Sequence, residues 1–104
     1  VLASVLSGFW NVVGQILLKM EKSIFSETYL VFLKHLREAR RRAGLTQQEV
    51  AIRLGHNQSF VSKCERGERR VDVIELRYFC KAIGVPFEDF VHRLASDIEG
   101  RACD

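Results

Sequence analysis

Apolar residues in this chain return every three or four positions and never alternate over a useful length, so the pattern predicts helices and no strands. Residues 26–43 place Tyr29, Phe32, Leu33, Leu36, Ala39 and Ala43 on one stripe, and Gly44 follows as a left-handed stop. Thr46 with Glu49 three residues on forms a capping box, in which the Thr oxygen takes a free amide and the Glu carboxylate reaches back to the cap. A second helix therefore begins at Gln47, turns Val50, Ala51 and Leu54 inward, and ends at Gly55. Asn57 suits the cap of a third helix over 58–66, with Val61 and Cys64 inward and Gly67 as its stop. Asp72 and Glu75 open a fourth, whose buried stripe is Val73, Leu76, Phe79, Cys80 and Ile83 before Gly84. Pro86 fits the first position of a fifth, with Glu88 and Asp89 in its first turn and Phe87, Phe90, Val91 and Leu94 available for packing. Residues 96–104 read as a frayed, flexible tail.

Two short helices joined by three to four residues make a helix-turn-helix unit, and the spacing within it is specific. Counted from Gln47, small Ala51 falls fifth and Gly55 ninth, while Val50, Leu54, Val61 and Cys64 fall fourth, eighth, fifteenth and eighteenth. The strings L-T-Q-Q-E-V-A, L-G, S-F-V-S-K-x-E-R-G-E-R-R and A-I-G-V follow in that order without insertion. On these residues the chain resembles the Cro and phage-repressor (XRE-type) class of helix-turn-helix transcriptional regulators, from about Phe32 to Leu94. The resemblance implies an all-α fold, a compact five-helix domain over residues 25–95. One position departs: the tenth, usually apolar, is His56, which predicts a packing gap or a partly exposed turn more than a ligand role.

What the resemblance implies for function follows from groove chemistry. The helix after the turn enters the major groove and must present groups that pair with base edges. Gln58, Ser59, Ser62 and Lys63 lie outward of Val61 and Cys64; Gln suits adenine, Lys suits guanine, and Ser suits either. Phe60 joins this base-reading set on equal terms with a second account, in which it pads the seam between helices. Gln47 and Gln48, at the start of the second helix, stand where the family clamps a phosphate, and Arg66, Arg69 and Arg70 stand where it makes a second set of backbone contacts. Arg41 and Arg42 are open between a DNA flank and plain solvation near a helix C-terminus. Arg40 falls on the inner stripe, four residues after Leu36, where a lone arginine is out of place. The resemblance pairs it with Glu65 as a buried structural ion pair tying the first helix to the third. It also implies a homodimer on a palindromic site of double-stranded DNA, joined through the fifth helix, where Phe87, Phe90 and Val91 exceed what five helices can bury.

Composition refines this picture. At 104 residues with 47% apolar content, the chain has room for one core. The net charge of +3 is unevenly spread: residues 34–70 carry ten Lys or Arg against four Glu, and residues 71–104 carry four against seven Asp or Glu. A basic zone on the helix-turn-helix unit suits a polyanion. Cys64, Cys80 and Cys103 form neither a disulfide framework nor a zinc spacing, which fits reduced thiols, a cytoplasmic location and no metal. His35, His56 and His92 lack a nucleophile or carboxylate constellation and no phosphate loop appears, so neither an enzyme nor a cofactor is expected. Residues 1–24 are set apart as an apolar leader or extra helix. The stretch VLASVLSGFWNVVGQILL is uncharged, and translation starting at Met20 accounts for it most simply; a short membrane span and a helix packing on the domain or a second subunit are the other accounts. A second function class keeps the same DNA-binding fold but gives its other surface to a protein partner, a toxin in an antitoxin system or another regulator.

Overall fold

The structure, a computed structural model, describes residues 27–102, so the apolar leader at 1–24, the start of translation at Met20 and Cys103 lie outside the described residues. Five helices follow in order: α1 (Glu27–Arg42), α2 (Gln47–Leu54), α3 (Gln58–Arg66), α4 (Val73–Ile83) and α5 (Phe87–Ala102). Among the described residues there is no strand, and no helix is long and apolar enough to cross a membrane.

Local chemistry fixes where the helices start and stop. Thr46 and Glu49 make a complete capping box at α2, as do Asp72 and Glu75 at α4, and the Asn57 side chain accepts from the Phe60 amide at 2.9 Å to open α3. Gly55, with φ of 73°, ends α2 in the left-handed conformation and lets the chain turn into α3 after three residues.

One core holds the helices together. α1 packs on α3 and α5, α2 on α3 and α4, and α4 on α5. Phe32, Leu33 and Leu36 from α1 meet Val50 and Ala51 from α2, Val61 and Cys64 from α3, and Leu76, Phe79, Cys80 and Ile83 from α4. Burying each of the large side chains is worth roughly 1.5–3 kcal/mol, so these residues set the angle at which α3 is presented.

Three expectations change. Val73 is exposed: it sits at the first position of α4, beyond the edge of the core, and Val71 in the preceding loop packs there instead. The chain past residue 95 is not a frayed tail but the last turns of α5, running to Ala102. Asp97 explains the extra length, because it accepts from His35 of α1 at 2.8 Å and from Arg101 one turn on at 3.0 Å. Phe90 is buried and Phe87 half-buried in the core, which leaves only Val91 of the fifth-helix trio exposed. The core thus takes up most of the apolar surface expected to join two copies through α5.

Candidate nucleic-acid interface

α3 has one dry face and one wet face. Val61 and Cys64 are fully buried in the core, and Glu65 is only 2% exposed. Gln58, Ser59 and Lys63 are exposed on the opposite side, and Ser62 is half-buried beside them. Among the described residues Lys63 has no ion-pair partner.

A buried charge cluster holds that face in place. Arg40 donates from Nε to Glu65 Oε2 at 2.6 Å and from Nη2 to Oε1 at 3.0 Å, while its Nη1 donates to the Leu45 carbonyl at 2.9 Å. The fork geometry joins the end of α1, the loop before α2 and the end of α3 at one point. Gln47 extends the cluster outward: its Nε2 donates to Glu65 Oε1 at 3.1 Å, and its Oε1 accepts from Gln58 Nε2 at 3.1 Å. A carboxylate accepts only, so Gln47 must turn its NH2 inward and leave its carbonyl oxygen to orient Gln58. The series Arg40, Glu65, Gln47, Gln58 thus runs from the interior to the exposed face without a break.

The arginines at the end of α3 and just after it are each engaged in the free chain. Arg66 pairs with Glu68 at 3.0 Å and Arg69 with Glu75 at 2.7 Å. The Arg69 guanidinium also lies 4.7 Å over the Phe60 ring, and that of Arg70 lies 5.2 Å over Tyr29. Arg42 pairs with Glu38 along α1 at 3.3 Å, and Arg41 and Gln48 are exposed. Burial pushes the Cys64 thiol above its ordinary range, although a hydrogen bond from Arg69 opposes the shift.

Phe60 is half-buried and packs against the core. Its ring stacks on His56 at 4.0 Å with 16° between planes and lies nearly parallel to Phe79 at 6.2 Å, so it pads the seam between α3 and α4. His56 meets Phe60 one turn later in place of the usual apolar contact, and the turn is exposed there. The spacing of four between them is the signal that sequence reasoning passed over, as it did the Gln47–Gln58 bond across the turn. The Arg53 Nη1 bond to the Ala82 carbonyl at 2.8 Å, which ties α2 to α4, carries no local signature in the sequence. Among the described residues no three side chains gather to hold a metal ion.

A short helix, a three-residue turn and a second helix with a buried inner face and a polar outer one define a helix-turn-helix DNA-binding module. The helix-turn-helix domain family matches residues 32–94, and the chain belongs to it as an XRE-type transcriptional regulator. The uncharacterized HTH-type transcriptional regulator y4dJ of Sinorhizobium fredii is 44% identical over 52 residues, half of this chain and 68% of that protein. Among solved structures, an XRE-family like protein from Pseudomonas syringae pv. tomato is 47% identical, with a TM-score of 0.68 over 74% of this chain and 94% of its own. The restriction-modification controller protein C.AhdI from Aeromonas hydrophila is 30% identical, with a TM-score of 0.54 over 59% of this chain and 92% of its own.

Proposed function

We propose that this regulator reads a specific duplex sequence by laying α3 in the major groove, with Gln58, Ser59, Ser62 and Lys63 against base edges. The observation that carries the reading is the continuous bonding from Arg40 through Glu65 and Gln47 to Gln58, which fixes an exposed amide on the helix face where Lys63 has no ion-pair partner among the described residues. A bidentate glutamine–adenine contact needs such a fixed amide. Gln48, Arg66 and Arg70 take phosphates on either side, and Gln47 contributes through its backbone amide at the start of α2. Arg69 is assigned to the wall with Phe60 and Glu75, and Phe60 is left out of the reading set.

A single module of this size covers few base pairs, so two copies act together on a palindromic site about one helical turn apart. Phe87 and Phe90 do not join them, because both face the core. A restriction-modification controller among the similar structures supports a role in controlling transcription from a promoter, in the cytoplasm with the DNA.

Selection of bound sequences from random duplexes, followed by affinity at several salt concentrations, tests the proposal. A two-fold half-site should emerge, and log affinity should fall with log salt by about 0.9 for each phosphate neutralised. Lys63→Ala should cost about 1–3 kcal/mol at one base pair and relax specificity there, and Gln47→Ala, which frees the Gln58 amide, should relax specificity at the base pair that Gln58 reads. No enriched half-site together with salt-independent binding would refute it.

A further inference from the structure

His56 and Phe60 lie outside the proposed reading set, and they form one wall of a groove of about 620 Å3 that runs between the end of α2, the turn and α4. That volume lies within the range of small-molecule sites. Four rings line it: Phe60 on His56, Phe79 beneath, and Tyr78, which is 61% exposed. Two cations stand at the rim. Arg53 is anchored by its bond to the Ala82 carbonyl, which fixes the guanidinium but cancels none of its charge. Neither Arg53 nor Lys81 has an acidic partner among the described residues. The one carboxylate in the lining, Glu75, is occupied on both oxygens, by Arg69 at 2.7 Å and by the Asp72 amide at 3.1 Å.

We propose that this groove binds a small aromatic carboxylate, its ring laid on His56 and against Tyr78 and the edge of Phe60 and its carboxylate on Arg53 and Lys81. The aromatic walls offer stacking on a flat ring, and the anchored guanidinium offers a planar fork that matches a carboxylate. An uncharged aromatic gains only the first of these, and an aliphatic acid only the second.

The test uses the full chain, isotope-labelled and without DNA, so its outcome is independent of the DNA-reading proposal. Naphthoate is titrated in while backbone amide signals are followed. Saturable shifts are expected at Arg53, His56, Phe60, Tyr78 and Lys81. Naphthalenemethanol, with the ring but no charge, should bind about tenfold more weakly, and Arg53→Met/Lys81→Met should lose a similar factor for naphthoate. Should the double variant unfold, Lys81→Glu alone serves, since that side chain bonds to nothing among the described residues; it should weaken naphthoate and leave naphthalenemethanol unchanged. No saturable shift, shifts centred elsewhere, or equal binding of the acid and the alcohol would overturn the proposal.

Discussion

Replacing Arg40 with Met removes one side of the buried pair and leaves the Glu65 carboxylate, 2% exposed, with the Gln47 amide as its remaining donor at 3.1 Å. Three donations disappear, two to Glu65 at 2.6 and 3.0 Å and one to the Leu45 carbonyl at 2.9 Å. Methionine retains much of the apolar stem, so the loss is mainly electrostatic. An uncompensated buried charge of this kind costs about 3–5 kcal/mol. In a domain of this size each kcal/mol lowers Tm by roughly 4–8 °C, so the melting point should drop by at least about 12 °C. The double variant Arg40→Met/Glu65→Met removes both charges and should recover most of that loss, with about 1–2 kcal/mol remaining for the orphaned Leu45 carbonyl and Gln47 amide. Urea unfolding of the four proteins, followed by circular dichroism at one pH, closes the cycle. An Arg40→Met protein within about 1 kcal/mol of the parent, or a double variant as unstable as the two singles added, would refute the reasoning.

Other substitutions test separate parts of the argument. Burial raises the Cys80 thiol from its ordinary 9.0 to about 11. The folded chain therefore favours the protonated form, and the resulting stability is complete below pH 9.0 and is lost as pH climbs through about 11. Urea unfolding across that window should show the parent losing up to about 2–3 kcal/mol more than Cys80→Ala. At Gly67 an added Cβ would stand 2.9 Å from Leu33 Cδ1 at φ of +79°, whereas at Gly44, φ +72°, it would meet nothing. Both alanine variants bear about 1–2 kcal/mol of left-handed strain, and Gly67→Ala should lose about 1–3 kcal/mol more from crowding. Phe60→Ala should destabilise the fold by about 2–4 kcal/mol in thermal melts, because it removes the stack on His56 and Phe79; an unchanged melt would return Phe60 to the groove face.

Element ends were legible because capping is local. Thr46 with Glu49, Asp72 with Glu75, and the glycines after α2, α3 and α4 announce themselves within four residues, and each cap forms from those residues alone. Depth was less legible. Helical periodicity gives the direction a side chain points but not how far the core extends along the axis, so Val73 on the α4 stripe lies beyond the core edge while Phe87 and Phe90 lie within it. The end of α5 depended on His35, 62 residues away in sequence, which no local pattern contains. Phe60 had two open accounts for the same reason: its partner Phe79 comes from another helix.

The candidate interface separates residues by how firmly the free chain holds them. The Arg66–Glu68 pair is exposed on both sides at 55%, and pairs of that kind are worth 0–1 kcal/mol, roughly speaking. Arg66 can exchange Glu68 for a phosphate at almost no cost, and salt will compete with that exchange directly. Gln47 is held differently, because its NH2 satisfies a buried carboxylate that has no access to water; moving it would leave Glu65 short of a donor. The amide therefore stays where it is when DNA arrives, and its carbonyl oxygen keeps Gln58 oriented. In the proposed reading, affinity then comes from side chains that are cheap to redirect and screened by salt, while register and base choice come from side chains tied to Arg40 and largely insensitive to salt. Loosening the interior at Arg40 should consequently blur sequence preference before it weakens nonspecific binding, even though that side chain lies on the far side of Glu65 from the DNA.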